Sequence, residues 1–151
     1  MRMNVSAVLV VAALVVGACE SSTRPGMVDL AALAQREAQW QGQELHDYSF
    51  EYHYEFAGAM EAVRITVRSD TVASVVDLQT DSTLSLDARY GWPTVDSLFA
   101  RARQALASTD VDVVVSYDSR LGYPTRIDVS PLVSTPAGGS SSRASDLQPL
   151  G

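Results

Sequence analysis

Nine consecutive residues, Tyr48 to Phe56, read YSFEYHYEF: the aromatics Tyr48, Phe50, Tyr52, Tyr54 and Phe56 alternate strictly with Ser49, Glu51, His53 and Glu55. Successive side chains of a β-strand point to opposite faces, so this period of two lines one face with rings and the other with polar groups. A helix would scatter the same residues around its circumference. Such a strand needs a second layer over its rings and water on its other side, which is the condition of an antiparallel sheet with one buried face.

The flanking sequence repeats the pattern. After a loop through Gly58, Ala62 to Arg68 alternates Val63, Ile65 and Val67 with Arg64, Thr66 and Arg68, and Ser69 and Asp70 make a tight turn into a strand from Val72 to Leu78. These segments predict an antiparallel meander. Val111 to Tyr117 and Thr125 to Val129 predict two more strands, joined by Asp118 to Pro124. Asp77 to Tyr90 has no period and many turn residues, so it is expected as a loop.

Two helices supply the covering layer. From Val28 to Leu45, the residues Leu30, Leu33, Ala34, Trp40 and Leu45 recur at helical spacing, with Asp29 placed to cap the start and Gly42 weakening the last turn. After the stop Gly91-Trp92-Pro93, Thr94 is a natural N-cap for a helix through about Ala107. Its stripe is Val95, Leu98, Phe99, Ala102 and Leu106, with Arg101 and Arg103 outside. Pro131 to Arg143, rich in Ser, Gly and Pro, predicts a mobile segment, and residues 131–151 a mostly flexible tail. The expectation is one α+β domain over residues 27–130: helix, three strands, helix, two strands, with both helices on one face of a sheet of about five antiparallel strands.

The first eighteen residues differ from the rest. Arg2 precedes an unbroken run of small and apolar residues from Ala7 to Ala18, shorter than the roughly 20 residues that cross a bilayer. That layout is a cleavable secretory signal. Its end, Val16-Gly17-Ala18-Cys19, resembles the lipobox of bacterial lipoproteins, which implies cleavage before Cys19, a lipid on the Cys19 thiol, and a domain held outside the cytoplasm on an envelope membrane. Residues 19–26, broken by Pro25 and Gly26, then read as a flexible tether.

The formal net charge is −7, and losing the signal removes Arg2 and makes the chain one unit more acidic. Repulsion from phosphate argues against nucleic acid as a partner. Cys19 is the only cysteine, so lipidation leaves no thiol for a disulfide, a thiolate metal site or a nucleophile.

Five segments together, DYSFEY, RITVRSDTVASV, PTVDSLF, VVVSYDSRLGYPTRIDV and the terminal ASDLQPL, resemble the bacterial envelope lipoproteins of the family called DUF6174. The resemblance extends from about Trp40 onward and is most specific at Tyr117 to Pro124. It implies the fold and the address and carries no established activity. Many members have cysteines near the end of the first strand; here His53 to Gly58 has none, so no disulfide is expected there.

Candidate chemistry is sparse. Glu51, His53 and Glu55 share a strand face, but alternate residues lie nearly 7 Å apart, too wide for one ion without a neighbouring ligand. Arg64 and Arg68 are expected to face Glu51 and Glu55 as ion pairs instead. Serine hydrolysis has no Gly-x-Ser-x-Gly and only His46 or His53 as a base, and His46 is expected to cover carbonyls at a helix end. Asp77, Asp81 and Asp87 lack the spacing and central glycine of a calcium loop. Catalytic residues, metals and cofactors are therefore expected to be none. Tyr117, Asp118, Arg120, Gly122, Tyr123 and Pro124 have two readings, a structural hairpin or a recognition loop. The expected function is a noncatalytic binding or assembly module, attached to the membrane by lipid and engaging an envelope protein or small ligand. The alternative is an envelope hydrolase or metal-dependent enzyme whose site assembles only in three dimensions.

Overall fold

The computed structural model describes residues 25–86, 91–136 and 138–151. The signal segment, Cys19, most of the tether and Asp87 lie outside them. The elements are α1 (Pro25–Gln41), β1 (Tyr48–Phe56), β2 (Ala59–Arg68), β3 (Thr71–Asp77), α2 (Val95–Leu106), β4 (Val111–Tyr117), β5 (Pro124–Pro131) and β6 (Ser140–Pro149). The strands form one antiparallel sheet in the order β3-β2-β1-β6-β5-β4. The α+β class stands.

The strand count does not. A sixth strand, β6, occupies residues 140–149 of the segment expected to be a flexible tail, and it lies in the middle of the sheet between the two meanders. Its sequence, SSSRASDLQP, is poor in β-branched and aromatic residues, which hides it from propensity. Position explains it: Ser142 and Ala144 stand opposite Tyr54 and Tyr52, where small side chains leave room for the rings. A register shift between Ser49 and Glu51, with positive φ at Asp146, also breaks the alternation that would have marked the strand.

α1 begins at Pro25 rather than Val28, so Pro25 and Gly26 belong to the helix and Asp29 is not its cap. Proline suits a first helical turn because its missing N–H would have had no partner there. The helix ends at Gln41, and the chain turns through Glu44 at φ 51°, leaving Leu45 outside. Two two-residue turns with both φ positive close the first meander, Ala57-Gly58 between β1 and β2 and Ser69-Asp70 between β2 and β3. The side chain of Asp47 accepts from the Ser69 N–H at 2.8 Å. α2 starts where expected: the Thr94 hydroxyl accepts from the Ser97 N–H at 3.3 Å.

Both helices cover one face. Tyr48, Phe50 and Tyr52 of β1 are buried with Val63, Ile65, Val67 and Val75 beside them. Leu33 and Trp40 of α1, and Val95, Leu98, Phe99 and Ala102 of α2, lie above. The Tyr48 hydroxyl accepts from the Val95 N–H at 3.0 Å, so the strand also satisfies a donor at the start of α2. Among the described residues no helix is long and apolar enough to cross a membrane.

On the outer face Glu51 pairs with Arg64, its direct cross-strand neighbour. Arg68 does not reach Glu55. The register of β1 on β2 sets Glu55 opposite Met60 and brings Arg68 past the strand end to Asp47, 3.6 Å away.

Candidate functional site

The inner face has two ends. At the Gly122 end, where β4 turns into β5, α1 closes over the sheet: Trp40 meets Tyr48 edge-on at 5.3 Å and Tyr123 at 6.2 Å. The segment Tyr117 to Pro124 is held there at several points. The carboxylate of Asp118 accepts from the Arg120 and Leu121 N–H groups at 3.0 and 2.6 Å, and the Gly122 N–H donates to the Asp118 carbonyl at 3.0 Å. Gly122 has φ +87°, and a Cβ on it would stand 2.8 Å from the Arg36 carbonyl, so both conformation and space require glycine. Gln39 of α1 donates to the Ser119 and Arg120 carbonyls at 3.2 and 3.0 Å.

Leu121 and Tyr123 are 5% exposed and Pro124 is buried. The Tyr123 hydroxyl meets the backbone of Leu147, and burial raises its pKa. Tyr117 is half-buried, with the Arg36 guanidinium 5.9 Å from its ring centre. Of the sequence candidates in this segment, Arg120 alone is exposed, and no described ion pair holds its side chain.

The Gly58 end is built differently, because α1 does not extend over it. Tyr52, still buried in the core, and Tyr54, half-buried beside it, have parallel rings 6.4 Å apart at 9°. With Trp92, Arg101, Ile127, Val129 and Ser142 they line a cleft of about 320 Å³, with Glu61 at its side. Arg101 Nη1 donates to the Tyr52 hydroxyl at 3.1 Å and Nη2 to the Gly91 carbonyl at 2.8 Å. Both acceptors are neutral, and no described carboxylate lies within ion-pair distance of this guanidinium. Burial pushes the pKa of Tyr52 up while the Arg101 charge pulls against it. The indole N–H of Trp92 donates to the Ser85 carbonyl at 3.3 Å, which fixes the ring as a wall.

A concave site of aromatic walls with a few fixed donors is the usual architecture of small-ligand binding. The cleft contains no histidine. Sequence reasoning placed Tyr52 and Tyr54 on the right face and missed the site, since Arg101 was assigned to the outside of α2 and Trp92 to a stop signal. The available signal was that Arg101 follows Leu98 by three residues and so flanks the buried stripe.

The other candidates do not converge. His53 stands between Ala62 and Arg143 in neighbouring strands, and shares only a shallow recess with Asp146. His46 does not cover the helix end; its Nδ1 pairs with the Asp70 carboxylate at 2.9 Å. That is a base with an orienting acid and, among the described residues, no hydroxyl hydrogen-bonded to it. Asp77 accepts from the N–H groups of Gln79 and Thr80 and from the Thr80 hydroxyl, and the Thr80 backbone bond leads in holding its carboxyl below the ordinary carboxylate range. Asp77 is thus a turn-forming residue. Among the described residues no three His, Cys, Asp or Glu side chains are grouped to hold a metal.

Against known proteins, a model of the family of unknown function DUF6174 matches residues 32–147. No curated protein and no solved structure matches.

Proposed function

The chain belongs to the DUF6174 family, and on that premise we propose that it is a lipid-anchored envelope protein, noncatalytic, which holds a small ligand in the cleft at the Gly58 end of its sheet. The address rests on the signal-like residues 1–18 and the lipobox-like Val16 to Cys19. With a diacylglycerol on the thiol and acylation of the new amine, attachment has the two or more chains that stable anchoring takes.

The observation that carries the binding reading is Arg101, a guanidinium set among Tyr52, Tyr54 and Trp92 with only neutral acceptors. It retains donors for a ligand acceptor group, while the rings offer faces to a flat apolar portion. Enclosure of about 320 Å³ suits a small molecule and is too little for a folded partner. The competing hydrolase reading has no described nucleophile beside His46, and His53 lies beside an arginine.

Two measurements test the two halves separately. Metabolic labelling with fatty acid should mark the wild-type chain and leave Cys19→Ser uncleaved and unlabelled; equal labelling removes the anchor. Small molecules extracted from the purified mature chain should include a stoichiometric species by mass spectrometry, lost in Arg101→Ala and Trp92→Ala and kept in Arg120→Ala. The same content in all three variants contradicts the cleft.

A further inference from the structure

The two edges of the sheet are finished in different ways. Outside β3 the chain folds back on itself: Thr83 bridges to Val76, the Leu84 N–H donates to the Val75 carbonyl at 2.8 Å, and the Asp77 N–H donates to the Ser82 carbonyl at 2.9 Å. Outside β4 no described strand or bridge is present. β4 reads VDVVVSY, with one charge, no proline and no bulge of its own, since the irregularity opposite Ser116 and Tyr117 is an extra residue in β5. Val114, facing outward, is 54% exposed. An unpaired, regular, valine-rich edge is a template for another strand, and soluble proteins normally blunt such an edge with charge, proline or a bulge.

We infer that β4 is a self-association edge, which pairs antiparallel with β4 of a second copy about a two-fold axis through Val114. The strand is complementary to itself in that register. Val114 meets its own copy, Val113 meets Val115, Asp112 meets Ser116 and Val111 meets Tyr117, so every residue of the strand is paired and no like charges oppose each other. Sliding the copies until Asp112 meets Asp112 would oppose two carboxylates and pair only the first part of the strand. On the inner side, the half-buried Val111, Val113, Val115 and Tyr117 of both copies would continue one apolar strip across the axis.

Charge on the outer side points the same way. Arg126 lies directly opposite Arg143 and pairs with Asp128 at 2.6 Å, so one carboxylate faces two guanidiniums, and Arg143 has no described carboxylate within ion-pair distance of its own. Ser116 is the next neighbour of Arg126 in that row. In the two-fold pairing the partner's Asp112 is placed beside Ser116, adding a carboxylate to the end of a row that carries two arginines. A two-fold normal to the sheet also keeps α1 of both copies on one side, so the proposed lipids of both chains can enter the same bilayer.

Cysteine cross-linking of the full chain in isolated envelope membranes tests the register, with copper-phenanthroline as oxidant and non-reducing electrophoresis as readout. Cross-strand Cβ atoms lie about 4.5–5.5 Å apart, which approaches disulfide range. Val114→Cys should form a dimer-sized band. Asp112→Cys should not do so alone, and should do so when co-expressed with Ser116→Cys. The inference fails if Val114→Cys stays monomeric, if Asp112→Cys alone dimerises equally well, if wild type with only Cys19 gives the same band, or if the product has the mass of a different protein.

Discussion

The two ends of the inner face are built from one strand and come to opposite results. At the Gly122 end, Tyr48 and Phe50 of β1 are sealed under Trp40 of α1, and the β4–β5 turn is held to that helix by Gln39. At the Gly58 end, the buried Tyr52 and the half-buried Tyr54 continue the same alternation and, with Arg101 and Trp92, wall a cleft that no α1 residue lines. Four of the five aromatics thus divide between sealed core and cleft wall, according to where a helix stops. A ring pattern fixes which face is apolar; the second layer decides which rings are buried.

The largest test of that division removes one ring from each end. Trp40→Ala should cost about 3–5 kcal/mol, as for other buried aromatics, and lower the thermal midpoint by on the order of 10 °C. Tyr54→Ala, at a partly exposed site, should cost about 1 kcal/mol and act mainly on ligand content. Equal losses would mean that the Gly58 end is as much core as the other.

The two turn glycines sharpen the contrast. Gly122→Val meets both positive φ and the Arg36 carbonyl, with strain on the order of 1 to 3 kcal/mol or more and a fall of several degrees in melting temperature. Gly58 also has positive φ, but a Cβ there meets nothing within 4 Å, so Gly58→Val should carry only the backbone penalty of about 1–2 kcal/mol. Melting curves in which the two variants coincide would show that the contact with α1 does not matter.

Alkaline pH should act through the buried tyrosines. Burial pushes the Tyr48 pKa up to about 12 and raises those of Tyr52, Tyr117 and Tyr123 from the usual value of 10.0. A phenol that keeps its proton in the fold and loses it when unfolded gives stability that is intact below pH 10 and is lost as pH rises toward 12. Melting temperature should fall across that window, with phenolate absorbance at Tyr48 rising only near its end. A flat melting temperature over the same range contradicts the burial described.

The smallest effect is expected at Arg120→Ala, within about 0.5 kcal/mol of wild type, since its side chain is exposed. Zinc or calcium titrated into the protein should show no site at Glu51 and His53, where Arg64 and Arg143 flank the carboxylate and the imidazole. A stoichiometric site lost in His53→Ala would reverse that.

The sequence made the meander, the capped α2 and the Asp118–Gly122 turn legible because each has a strictly local cause: a period, a hydroxyl at an N-cap, a glycine at positive φ. β6 was not legible, since its place follows from the tyrosines opposite it and from the two strand edges it joins. The Arg68–Asp47 pair was missed for a related reason: β1 and the end of β2 at Arg68 were read correctly, though β2 starts at Ala59 and not Ala62, but the register that matches Arg64 to Glu51 carries Arg68 beyond the start of β1. The cleft was the least legible feature. It exists where α1 fails to extend, and no residue in it breaks a local rule.

A photoreactive benzoyl-phenylalanine at position 54, compared with one at position 120, in living cells, tests the central claim most directly. Position 54 lies on the cleft wall and position 120 on the exposed turn. On illumination, the chain with the probe at position 54 should gain a discrete small-molecule mass, and the chain with the probe at position 120 should gain nothing. A protein adduct at position 120 with no adduct at position 54 would place recognition at the Gly122 end and contradict the assignment of the cleft.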